Sequence, residues 1–211
     1  MSDPVITNCG DDALRFVIAD QETRLARARQ LLATGDWCEV VPGRQDITVQ
    51  FDAHTHTPAT ALAYLSQTLA TPAPHLSGTG ETIELPVHFG KTDGPDLAGI
   101  ADAIRLPEAD IIARLLAAPL TVEMLGFTPG FAYMTGLSET LEIPRLAQPR
   151  QQVPAGSIGL ITGQCGLYAL AGPGGWPIIG RATVSLFDAA SVTPFRLQAG
   201  TRVQLVDMAA P

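Results

Sequence analysis

No run of apolar residues in this sequence is long enough to span a bilayer, and no basic segment followed by an apolar run stands near Met1-Ser2-Asp3-Pro4. A cytoplasmic chain with no membrane partner is expected. Cysteine is scarce too. Cys9, Cys38 and Cys165 lie far apart without a CxxC pair, which argues against a disulfide framework and a zinc knuckle and fits a reducing compartment. Positive charge is thin: Lys and Arg total 13 against 21 Asp and Glu, the formal net charge is −8, and no Lys/Arg run exists. Nucleic acid, which needs a phosphate-neutralising stripe, is therefore not an expected partner. What is present is ordinary for a soluble fold: 211 residues, 46% hydrophobic and 16% charged, enough core for one large or two small domains.

Hydrophobic period divides the chain. Ala13 to Ala19 reads as a strand, and Asp20 caps a helix from Gln21 to about Ala33 that Gly35 ends. Trp37 to Val41 reads as extended. Pro42-Gly43 turns into Asp46 to Asp52, where Ile47, Val49 and Phe51 alternate with polar residues at the period of a half-buried strand. Thr57 caps a second helix with Pro58 in its first turn, and Leu62, Leu65 and Leu69 recur at helical spacing. Thr82 to His88 is a strand again. The order βαββαβ predicts a split-βαβ, ferredoxin-like domain over residues 1–85. Two short helices are expected between Pro95 and Ala118. Beyond them, β-like runs at Leu120 to Leu125, Ser157 to Thr162, Leu167 to Ala171, Thr183 to Phe187 and Arg202 to Val206 alternate with Gly/Pro turns, the pattern of a β-barrel over residues 86–211. The expected class is α+β.

Several catalytic motifs are approached and missed. Gly90-Lys91-Thr92 resembles the end of a phosphate-binding loop, but the first glycine of that motif would fall on Leu85. Ala155-Gly156-Ser157-Ile158-Gly159 approaches a nucleophile elbow, which requires a helix where the β-like Ile158 to Thr162 follows. His54 and His56 have no third ligand at metal spacing, so no metal ligand set is expected and solvent-exposed histidines are favoured. Cys165 sits among glycines without a base nearby in sequence and reads as a core or turn thiol.

The densest chemistry lies in Met124 to Tyr133, in Pro144-Arg145 and Pro149-Arg150, in Val153 to Ser157, and in Pro173 to Arg181. Pro129-Gly130 fits the centre of a type II turn, with Phe127, Phe131 and Tyr133 carrying apolar bodies to either side. Gly174 and Gly175 permit close backbone approach to a ligand, with Trp176 as a wall. Arg145 and Arg150 are forked donors suited to a carboxylate or phosphate. The same residues also suit barrel corners, core aromatics and surface arginines, and chemistry alone leaves the two readings even.

These motifs resemble the family that includes the B component of 5-oxoprolinase, allophanate hydrolase subunit 1 and a bacterial inhibitor of the sporulation histidine kinase, built on the carboxyltransferase domain, subdomains C and D. GFxPGFxYxxGL, the two Pro-Arg pairs, VPxGSI, GQxGxY and PGGWxIIGR occur in that family's order, and Ala13-Leu14 and Val41-Pro42-Gly43 agree nearer the start. The sequence departs from the pattern at Arg114-Leu115-Leu116, Cys165, Ala169 and Gly90-Lys91-Thr92-Asp93. The resemblance implies an N-terminal α/β domain followed by a cyclophilin-like β-barrel. It also implies a subunit of an ATP-dependent 5-oxoprolinase, opening the lactam of 5-oxoproline to glutamate and inactive without its partners: a larger homologous carboxyltransferase-like chain and a third, lactam-hydrolase-like chain. ATP would act at the assembled complex. The substrate-binding residues implied are Phe127, Pro129, Gly130, Phe131, Arg145, Arg150, Gln164, Tyr168, Gly174, Gly175 and Trp176. The arginines would hold an anion, Gln164 and Tyr168 would orient polar atoms, and the glycines would offer backbone donors. The alternatives are the carboxyltransferase-like half of an allophanate hydrolase or of a urea or guanidine carboxylase, with carboxybiotin visiting from another chain, and a non-enzymatic kinase inhibitor.

Overall fold

The computed structural model describes residues 5–73, 82–138 and 141–208, and the chain falls into two compact units, Met1–Thr79 and Gly80–Pro211. In the first unit, β1 (Ile6–Asn8), β2 (Ala13–Val17), α1 (Gln21–Thr34), β3 (Glu39–Pro42), β4 (Asp46–Gln50) and α2 (Pro58–Leu69) follow in order. The strands form an antiparallel sheet, β1-β2-β4-β3. Register sets Leu14 opposite Val49 and Phe16 opposite Ile47, so the apolar residues of both strands share one face. Ala28 and Leu31 of α1, Ala61 and Leu65 of α2, and Trp37 pack with them into one core.

The helix boundaries follow from local chemistry. The Asp20 side chain accepts a hydrogen bond from the Thr23 amide at 2.8 Å, satisfying one of the first-turn donors of α1, and Gly35 ends that helix at φ 73°. Thr57 and Thr60 exchange reciprocal side chain–backbone bonds at the start of α2, with Pro58 in its first turn. The buried stripe of α2 runs through Ala61 and Leu65 rather than through Leu62, which is exposed.

The expected order holds from Ala13 to Leu69, but the fourth strand of this sheet comes from Ile6–Asn8 and not from Thr82–His88. The latter segment belongs to β5 (Thr82–Phe89), a barrel strand, so a boundary after residue 85 would cut through it. Its alternation of Ile83, Leu85 and Val87 suits either sheet, since side-chain period records which face is buried and not against what.

The second unit continues with α3 (Leu97–Ile104), α4 (Glu108–Ala117), β6 (Leu120–Leu125), β7 (Ala132–Thr135), β8 (Arg150–Val153), β9 (Ser157–Ile161), β10 (Gln164–Leu167), β11 (Gly172–Gly174), β12 (Ile178–Ala182) and β13 (Arg202–Asp207). Seven strands close a barrel in the order β10-β7-β6-β13-β5-β12-β9, while β8 and β11 pair separately. Side chains fill the interior: Ile83, Leu85, Val122, Met134, Ile158, Leu160, Cys165, Ile179 and Leu205 meet Leu97, Ile111 and Leu115 of the helices in one core. Closure removes the edges that an open sheet of these strands would expose. Two expected strands are corrected. Leu167 to Ala171 leaves the ladder after Leu167, and Thr183 to Phe187 contributes only an isolated bridge from Phe187 to Phe195. Among the described residues no helix is long and apolar enough to cross a membrane.

Candidate functional site

Strand alternation decides where the site lies. Ala132 and Met134 of β7 point into the barrel core, which leaves Phe131 and Tyr133 on its outer wall. Phe131 is the hub there. Its ring meets Tyr133 at 4.7 Å, Tyr168 at 4.8 Å, Phe127 at 5.7 Å and Trp176 at 5.9 Å between centroids, all edge to face, the arrangement that ring quadrupoles favour. Two motif glycines make room for this layer. A Cβ on Gly166 would lie 2.7 Å from both Phe131 and Trp176, and one on Gly159 would lie 2.9 Å from the Trp176 Cβ. Gly166 of GQxGxY and Gly159, which follows VPxGSI directly, are thus flat floor beneath an aromatic layer.

The hairpin leading into Phe131 is tightly wound. The Thr128 amide donates to the Gly126 carbonyl at 2.9 Å across Phe127, whose φ is 67°, a strained γ-turn for a residue with a side chain. The Phe131 amide then donates to the Thr128 carbonyl at 3.0 Å across Pro129-Gly130, and Gly130 takes φ 73°, as a type II turn requires. Gly130 also lies against Phe195, whose ring an added Cβ would overlap. Phe127 is left 62% exposed beside the buried Phe131.

Both arginines reach this wall. The Arg145 guanidinium carbon sits 5.7 Å above the Trp176 ring, a cation–π contact, and the Leu146 amide donates to the Gly175 carbonyl at 2.8 Å, fixing the segment. Arg150 begins β8, opposite Gly174 of β11. Gly174 in turn lies against the Tyr168 hydroxyl, leaving no space for a Cβ there. The Arg150 Nη2 donates to Asp96 Oδ1 at 2.7 Å, and that carboxylate raises the pKa of the guanidinium against the opposing effect of burial. Burial pushes the Tyr168 phenol up, with Tyr133 adding to the rise and with Arg145, Arg150 and the Trp176 backbone amide pulling it back. Tyr133 is likewise raised by burial and partly restrained by Arg145. Two guanidiniums and two phenols raised by burial thus share one field, an arrangement suited to an anion or to developing negative charge.

Of the residues singled out from sequence, Phe127, Phe131, Arg145, Arg150, Tyr168, Gly174 and Trp176 converge, Pro129-Gly130 forms the adjoining turn, and Gly175 supplies the carbonyl that holds the Arg145 segment. Gln164 does not converge. It opens β10 beside the Thr162-Gly163 turn, whereas Tyr168 follows the far end of that strand, roughly 13 Å away at strand rise. Ser157 is buried at the start of β9 and followed by strand, so it is no exposed nucleophile. Cys165 is fully buried, its thiol pushed up to about 12 by desolvation, and is inert at neutral pH. His54 is exposed and His56 half-buried, on the turns between β4 and α2. Sequence reasoning misses Tyr133 as a site residue and misses Asp93 and Asp96, which pair with Arg181 and Arg150. The Gly94-Pro95-Asp96 approach to a helix is the available signal, but it reads first as a helix start.

Residues 4–197 match the family described as the carboxyltransferase domain, subdomain C and D. The chain is 37% identical over 189 residues to a protein of Escherichia coli O157:H7 named as the B component of 5-oxoprolinase, covering 90% of this chain and 86% of that one. The solved structure of TTHA0988 superposes with a TM-score of 0.79 at 27% identity, covering 94% of this chain and 40% of that one, so this chain spans about 40% of that protein's length. The Kluyveromyces lactis urea amidolyase shares the fold, with a TM-score of 0.76 at 16% identity over 97% of this chain and 15% of that one.

Proposed function

We infer the role of this chain from its family: it belongs to the carboxyltransferase domain family, subdomain C and D, and we propose that it is a subunit of an ATP-dependent 5-oxoprolinase. The observation that carries the proposal is the convergence of Arg145, Arg150, Tyr133 and Tyr168 on the Phe131–Trp176 layer, in a chain 37% identical over 90% of its length to a protein named for that activity. The substrate, 5-oxoproline, is a five-membered lactam bearing a carboxylate. Its flat apolar ring suits an aromatic wall, and its carboxylate suits a guanidinium fork. Arg150, anchored by Asp96, holds the carboxylate. Arg145, lying over Trp176, stabilises negative charge that develops on the lactam carbonyl oxygen. Tyr168 and Tyr133 stay protonated at neutral pH and act as donors in a site from which the aromatic layer excludes water.

ATP activates the lactam carbonyl, which is otherwise a stable amide. The segment that resembles the end of a phosphate loop does not fit the nucleotide: residues 85–89, which would form the loop, belong to barrel strand β5, and the Gly90 amide donates to the Ile179 carbonyl at 3.0 Å. On this reading the nucleotide sits at the assembled complex, with a larger carboxyltransferase-like chain and a lactam-hydrolase-like chain as partners in the cytoplasm.

The test is to assemble this chain with its cognate chains and follow glutamate release from 5-oxoproline and ATP. Arg145→Ala and Arg150→Ala should each lower kcat/KM at least about tenfold, the loss of a charge-assisted hydrogen bond worth roughly 1.5–3 kcal/mol. A complete set that consumes urea-derived substrates and ignores 5-oxoproline would remove the assignment, and full activity in both variants would remove the arginines from the site.

A further inference from the structure

Asp96 occupies the N-cap position of α3, where an aspartate ordinarily folds its carboxylate over the first free amides of its own helix. It makes no such bond. Both oxygens are turned away: Oδ1 accepts from Arg150 Nη2 at 2.7 Å, and Oδ2 accepts from the Ile178 amide at 2.6 Å. The Asp96 backbone repeats the second link, its own amide donating to the Ile178 carbonyl at 3.0 Å. The carboxylate is thereby fixed to the β12 end of the barrel wall, and Arg150, which sits on the separate β8–β11 ribbon, is fixed to the carboxylate. The other terminal nitrogen of Arg150, Nη1, is buried and has no hydrogen-bond acceptor among the described residues. The side chain as a whole remains 32% exposed. Buried guanidinium nitrogens are rarely left in that state, because each unmet donor costs its desolvation.

We propose that Asp96 is a positioning residue for the substrate anion: it holds the Arg150 fork by one nitrogen so that the remaining donors are set for a carboxylate supplied by the ligand. This rests on the reading of Arg150 as the carboxylate-binding residue. The α3 cap is given up for this purpose. Without Asp96 the long arginine side chain samples many rotamers, and ordering it again is charged against substrate binding rather than against folding. Asp96 acts through Arg150 and touches no reacting atom.

The informative substitution is Asp96→Asn. Its carbonyl still accepts from the Ile178 amide, while its amide nitrogen faces the guanidinium, donor against donor. In the assembled enzyme D96N should raise KM for 5-oxoproline by roughly tenfold or more while kcat changes by less than about threefold. Its effect should vanish in an R150M background, because a residue that works only through its neighbour has nothing left to position. The melting temperature of each purified variant reports any structural role separately. A D96N enzyme with unchanged KM overturns the inference, as does a D96N/R150M enzyme whose defect is the product of the two single defects. If R150M itself leaves KM unchanged, the reading of Arg150 falls and the inference falls with it, whereas a large R150M effect beside a silent D96N sinks the inference alone.

Discussion

Phe127 holds a backbone conformation, φ 67°, that costs a residue with a side chain about 1 to 3 kcal/mol, and it presents an exposed ring at the tip of the hairpin leading into the aromatic layer. An unfavourable angle kept at an exposed aromatic beside that layer makes Phe127 a residue to test for a role in the proposed site. Phe127→Gly relieves the angle, gives up the edge contact with Phe131, and loosens the unfolded chain. The relief of about 1 to 3 kcal/mol opposes two losses of about 1 kcal/mol each, so stability should stay within about 1 kcal/mol of the parent in denaturant unfolding. Turnover of the assembled enzyme should nonetheless fall about tenfold, a loss of roughly 1.4 kcal/mol at the transition state. A variant that unfolds easily but turns over normally would show that the ring serves the fold. At this scale the sequence is most readable where chemistry is local. Pro129-Gly130 announces its turn, and Arg145 and Arg150 announce forked donors. Asp96 does not announce its partner, because Arg150 lies 54 residues away and only the tertiary fold brings them together.

The elements show the same division between local and distant causes. Asp20 and Gly35 bound α1 as expected, because caps are written within four residues of the helix end. The sequence places β5 in the wrong sheet, since an alternating Ile83-Leu85-Val87 carries no record of its neighbours; its actual ones, β12 and β13, come from the far end of the chain. Strands β7, β8 and β12 read as motif loops because Gly130 and Gly136 bracket the first, Pro149 and Pro154 bracket the second, and Pro177 and Gly180 interrupt the third, yet Gly180 and Ile178 pair in the barrel ladder. One inter-helix tie in the first unit is also illegible in sequence. Arg27 on α1 is buried, and it donates to the Thr68 and Thr71 carbonyls at 3.2 and 2.7 Å, satisfying acceptors at the open end of α2. Arg27→Leu should therefore destabilise the first unit by about 1.5–3 kcal/mol, since the charge-assisted bonds to both carbonyls are lost, although the Thr68 carbonyl keeps the Thr71 hydroxyl at 2.7 Å. Arg15→Leu, which breaks only the exposed pair with Asp46, should cost less. Urea unfolding followed by tryptophan fluorescence in a Trp176→Phe background reads this directly, because Trp37 in the first core is then the sole indole. Equal midpoints for the two arginine variants would show that the inter-helix tie contributes nothing.

At the scale of the whole molecule, the groups gathered on the barrel wall are suited to holding charge rather than to starting a reaction. Arg145 and Arg150 are cations, and Tyr133 and Tyr168 are phenols that burial keeps protonated at neutral pH. A general base that activates water works best with a pKa near the operating pH, and the two phenols, raised by burial, do not meet that condition. Opening a lactam needs such a base and an activated carbonyl, and the function proposed above takes these from partner chains. Holding them within about an ångström of the bound ring takes an interface of roughly 1,000 Å² or more, which is large enough to survive purification. The expected outcome is that this chain, purified by itself with ATP and 5-oxoproline, releases neither glutamate nor phosphate. Mixed with its cognate carboxyltransferase-like chain it should co-elute as a stable complex, and 5-oxoproline-stimulated ATP hydrolysis should appear once the lactam-hydrolase-like chain is added. Glutamate formed by the isolated chain would sink the half-site reading, because the wall would then have to contain its own base and nucleotide site. A stable complex that hydrolyses ATP equally with Arg150→Ala and with the parent chain would place the reaction on the partners and leave this wall a scaffold.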